Sequence, residues 1–103
     1  MTDKTTAEIL YDAAEYIGEH GWLQGELSNS DGNVCAIGAI NRVAESDTVA
    51  DTYNAIEALW KYLKLPDYGS GLHPVARWND EPGRSAEDVI LAMKCAAKEV
   101  DEL

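Results

Sequence analysis

Asn33-Val34-Cys35-Ala36-Ile37-Gly38-Ala39-Ile40 makes up most of the longest uncharged stretch in a strongly acidic chain. Apolar residues on both of its sides predict a short buried helix rather than a surface one. Asn33 is its expected cap, and Ala36, Ile37, Ile40, Val43 and Ala44 form the expected core face. Cys35, Gly38 and Ala39 lie on the other side, where small residues let a second element approach the backbone closely. Such a helix belongs at the centre of an all-α fold.

The flanking segments carry helical periodicity. Thr5 and Glu8 have capping-box spacing, and Ile9, Leu10, Ala13, Tyr16 and Ile17 follow on one face up to a stop at Gly21. From Trp22 to Asn33 the period is lost, which predicts an ordered loop with a turn at Asp31-Gly32 and at most a minor hairpin placing Leu23 and Leu27 against Val34. Thr48 and Asp51 open a third helix running to about Lys64, with Val49, Thr52, Tyr53, Ile56, Leu59, Trp60 and Leu63 as its stripe. Pro66 ends it. Pro74 starts one helical turn through Trp78, and Ser85, with Asp88 in the reciprocal position, caps a last helix with Val89, Ile90, Met93, Ala97 and Val100 inward. The expected architecture is one domain spanning residues 1–103, with about four main helices around the short central one.

The chain has 103 residues, with 8 Lys and Arg against 19 Asp and Glu, a formal net charge of −11. That balance disfavours nucleic-acid binding, which needs cations against phosphate, and Gly69-Ser70-Gly71 lacks the lysine of a phosphate loop. No segment has membrane-spanning length, the N-terminus has no apolar signal region, and only two cysteines occur. Together these predict a cytoplasmic protein. The closing Val100-Asp101-Glu102-Leu103 matches an ER-retention tail only superficially.

Three places invite chemistry. Cys35, at the start of the central helix, would be a nucleophile if the helix dipole favoured its thiolate, with His20 or His73 as base and Asn79 or Asp80 as orienter. Burial among apolar neighbours opposes this. Cys35, Cys95, His20 and His73 lack zinc-site spacing, so neither a metal nor another cofactor is expected. Trp78-Asn79-Asp80 offers an indole beside two short polar side chains, either lining a ligand or partner site with Trp22 as a second wall or satisfying free N–H groups at another helix start. Leu91 and Cys95, four residues apart on the far side of the last helix, predict a monomer or a weak homo-oligomer joined there.

Glu19-His20-Gly21-Trp22, the Cys-x-x-Gly-Ala pattern at Cys35 to Ala39, Trp78-Asn79-Asp80 before Pro82-Gly83, and Ser85-Ala86-Glu87-Asp88-Val89 occur in this order. The set resembles a family of small uncharacterised proteins of actinobacteria and their phages, a domain of unknown function. The resemblance covers nearly the whole chain and implies a compact, phage-encoded helical protein, with no activity attached. The expected function is therefore a small acidic binding module acting on a host protein or small ligand. The alternatives are a small cysteine-dependent enzyme using Cys35 and an acidic DNA-mimic inhibitor.

Overall fold

A computed structural model describes residues 4–44, 49–67 and 73–101. The fold is all-α: α1 (Thr6–His20), α2 (Ala36–Val43), α3 (Val49–Leu63), α4 (Pro74–Asn79) and α5 (Ala86–Asp101). Among the described residues three helices are long and two are short. The expected four helices around a short one are present, and the helix carrying Pro74 is little more than the single turn predicted, spanning 6 residues.

α1 is the hub, packing on α5, α2 and α3. Its Ile9, Leu10, Ala13 and Ile17 are buried, and its N-terminus carries the full capping box between Thr5 and Glu8. Gly21 ends it with φ at +95°, its N–H bonded to Ile17 O. That conformation favours glycine. Against this layer α5 presents Val89, Ala92, Met93, Ala96 and Ala97, opened by the Ser85–Asp88 capping box.

α2 is buried on two sides, with Ala36, Gly38, Ala39 and Ile40 all inside. It joins α4 to α1 and α3. Its N-cap is Cys35, not Asn33, because Cys35 is extended (ψ −179°) and its Sγ accepts from the Gly38 N–H at 3.3 Å. Asn33 instead donates its N–H to Asn29 Oδ1. Ile37 is only half-buried against the core.

The α3 stripe is buried over only part of its expected width, with Leu59 inside and Ile56, Trp60 and Leu63 packed against the core. Ala55 and Leu59 are buried, whereas Val49 is 87 % and Tyr53 53 % exposed. The apolar arc of α3 is wider than the surface α1 and α5 offer, so one edge of it faces out. The expected cap Thr48 lies outside the described residues.

Between α1 and α2 the hairpin reduces to two isolated bridges, Trp22 with Val34 and Ser28 with Val34. Val34 is fully buried, whereas Leu27, expected to pack on it, is 54 % exposed. Among the described residues no helix is long and apolar enough to cross a membrane.

Candidate functional site

The chemistry-bearing residues converge where α4 meets the N-terminus of α2. A helix start leaves backbone N–H groups without partners, and α2 buries that start in the protein. Its donors are satisfied from two directions. Cys35 Sγ takes Gly38 N–H, and Asn79, 43 positions away at the end of α4, takes Ala36 N–H on its Oδ1 at 3.0 Å.

Asn79 is fully buried. Its Oδ1 also accepts from Trp22 Nε1 at 2.6 Å. Its Nδ2 donates to Leu23 O at 3.1 Å and to Asp80 Oδ1 at 3.0 Å. An asparagine amide has two donors and two acceptor positions, and all four are used. This side chain has no capacity left for a ligand.

Asp80 and Gln24 extend the clamp. Asp80 Oδ1 accepts from Gly25 N–H at 2.9 Å. Gln24 Nε2 donates to the carbonyls of Asn79 and Glu81 at 3.0 and 2.9 Å. Trp22, Leu23, Gln24 and Gly25 are thus each tied to residues 79–81. At the other end of the loop, Leu27 O accepts from Cys35 N–H at 3.1 Å and Leu23 N–H donates to Val34 O. The tip is held by Asn29, whose Oδ1 accepts from the N–H groups of Asp31 and Asn33.

Trp78 does not join this network. One residue earlier on α4, it points about 100° away around the helix. The Arg84 guanidinium covers its ring at 4.2 Å, and Arg84 Nε donates to its carbonyl. Of the predicted corner, Trp22, Asn79, Asp80 and Cys35 come together and Trp78 stands apart. Sequence reasoning missed Gln24 and Arg84. Neither lies in a recognisable pattern, since each acts through backbone carbonyls that only the fold brings near.

Gly25, Glu26, Leu27, Cys35, Ala76 and Asp80 line a cavity of about 110 Å³. Small-molecule sites are usually roughly 300–1,000 Å³, so this space suits a few water molecules. Burial pushes the Cys35 thiol up, the N–H groups of Gly38 and Ile37 oppose that, and Asp80 adds to it. The histidines are engaged elsewhere. His20 stacks on Tyr16, and His73 caps α4 against Trp60. Among the described residues no group of three His, Cys, Asp or Glu side chains could hold a metal ion.

Leu91 is 63 % exposed on α5. Cys95, one turn on, is partly buried, and its thiol beside the Tyr62 hydroxyl of α3 raises that phenol above its ordinary value. In the native protein one thiol, Cys95, is therefore expected to react readily with a disulfide reagent, and Cys35 only after denaturant is added. Counting modified thiols by mass spectrometry decides this, and fast modification of Cys35 would show the burial to be misplaced.

A family model described as a family of unknown function, DUF6197, matches residues 1–99. The chain belongs to that family. No curated protein and no solved structure matches it.

Proposed function

We propose that this member of DUF6197 is a small binding module whose recognition element is the loop at residues 24–32, held in place by the clamp at Trp22, Asn79 and Asp80. One observation carries this. The backbone of Leu27 is gripped by Cys35 N–H and by close contact with α2, while its side chain is 54 % exposed. A loop fixed in advance loses little entropy on binding, and rigid scaffolds commonly place their binding residues on such loops.

The partner fitting this surface is a protein with an apolar pocket rimmed by basic groups. Leu27 would fill the pocket, and Glu26 and Asp31 would face the rim. The net charge of −11 would speed the encounter with such a partner. The cavity beneath the loop is small for a metabolite, which favours a protein over a small ligand. In this reading the chain acts in the cytoplasm, is phage-encoded, and takes a host protein as its partner. Trp22, Asn79 and Asp80 serve binding by positioning the loop, and Trp78 borders the same end of α4.

Affinity capture from an actinobacterial lysate, followed by titration of the captured partner, tests this. Leu27→Ala is expected to weaken binding about tenfold or more, as for a central apolar anchor, with thermal stability unchanged. Leu91→Ala is expected to leave binding intact. Loss with Leu91→Ala and none with Leu27→Ala would move the interface to α5.

A further inference from the structure

The helix that carries the clamp is itself held at its opposite end by a histidine. His73 (φ −57°, ψ 143°) is the N-cap of α4, and its Nδ1 accepts the Val75 N–H at 3.0 Å. An imidazole nitrogen accepts only when it carries no proton, so the neutral ring holds its proton on Nε2. Protonating Nδ1 would set one N–H against another. It would also place a positive charge at the positive end of the helix.

The groups around the ring can be named. From α3, Trp60 meets it edge-on, with centroids 5.2 Å apart, and the Trp60 Nε1–H is committed to Leu65 O. Asp67, on the segment leaving α3, acts on it as a negative charge and favours the protonated form. On α4, the carbonyl of His73 accepts from Arg77 N–H. Burial acts against the charged form and outweighs Asp67, holding the group below its ordinary value of 6.5.

α4 has 6 residues, far fewer than a helix needs to persist by itself. It depends on what holds its two ends. Its last residue is Asn79, and Asp80 follows as C-cap. We infer that His73 is an acid-sensitive latch: its protonation uncaps α4, loosens the Asn79–Asp80 clamp at the far end, and lets go of the Leu27 loop. A histidine held below its ordinary value contributes its full stability above about pH 6.5. That stability is lost as pH falls from there through the lower folded value. The consequence for binding rests on the loop reading above; the coupling from His73 to the clamp does not.

Nitrogen-15 NMR of the intact protein tests the latch through the Trp22 indole N–H, which reports on Asn79 directly. Its protection, relative to free indole at each pH, is expected to fall about fivefold between about pH 7.5 and 5.5, as for the loss of one N-cap. His73→Asn supplies a cap that does not titrate in this range and is expected to flatten the profile, while His20→Asn leaves it as in the wild type. Identical profiles in wild type and His73→Asn would overturn the latch. If His73→Asn does not fold, the wild-type ring decides. Titration below 6.5 with the neutral proton on Nε2 supports the latch, and titration at or above 6.5, or a neutral proton on Nδ1, overturns it. Failure of the loop reading would appear separately, as unchanged binding by Leu27→Ala at neutral pH.

Discussion

Asn79→Ala is expected to destabilise the protein by about 3 kcal/mol or more, with the transition read by urea denaturation. The estimate comes from what the substitution strands. Trp22 Nε1–H and Ala36 N–H lose their acceptor and Leu23 O loses a donor, all beside a fully buried position. Each unsatisfied buried group costs about 1–3 kcal/mol. Water entering the vacated space would recover part of this, which sets the lower figure. Against a typical total of about 5–15 kcal/mol, the loss is a large fraction. Trp22→Phe removes one stranded donor, so it should cost less in the Asn79→Ala background than in the wild type. A double-mutant cycle reads that coupling. A loss below about 1 kcal/mol for Asn79→Ala would mean the amide is a surface feature.

Gly38→Leu is expected to cost about 1–3 kcal/mol or more, the range for overpacking a filled interior, and Gly38→Ala should already be unfavourable. A Cβ at Gly38 would overlap the Leu27 carbonyl oxygen, with the carbonyl carbon 2.9 Å away. Backbone cannot turn aside as a side chain can, so the loop would have to lift from α2. Removing a helical glycine ordinarily stabilises by about 1 kcal/mol. Gly18 in α1 provides that comparison, because a Cβ there would meet nothing within 4 Å. Gly18→Ala is therefore expected to raise the melting temperature and Gly38→Ala to lower it. Two changes of the same sign would refute the close approach of loop and helix.

Much of the fold is written in local patterns. The capping boxes at Thr5–Glu8 and Ser85–Asp88 and the Gly21 stop form as their spacing predicts. The two-sided burial of α2 follows from the uncharged run at residues 36–40 in its first turns. The errors arise where a neighbour decides. Asn33 is the better capper by residue type, yet Cys35 caps α2 because Cys35 N–H is drawn to Leu27 O and fixes the extended turn there. Val49 and Tyr53 belong to the apolar arc of α3, but its fully buried residues are Ala55 and Leu59. The small residues at Cys35, Gly38 and Ala39 correctly signalled a close approach without naming the loop as the approaching element. The corner itself was half legible. Asn and Asp before a proline-glycine turn signal hydrogen bonding to free backbone groups, and Asn79 does satisfy a helix start. Which helix it serves depends on a contact spanning 43 positions, and no local pattern carries that.

Asn79 builds the loop from inside and does not line an open pocket. Amide and indole hydrogen exchange on the native protein at neutral pH tests it most directly. The Trp22 indole N–H and the Ala36 amide, both bonded to Asn79 Oδ1, are expected to fall in the slowest-exchanging class, together with the buried amides of α1. The Leu27 side chain is expected to remain solvent-exposed. A Trp22 indole that exchanges as fast as an exposed tryptophan would show a wet, open corner and contradict the account.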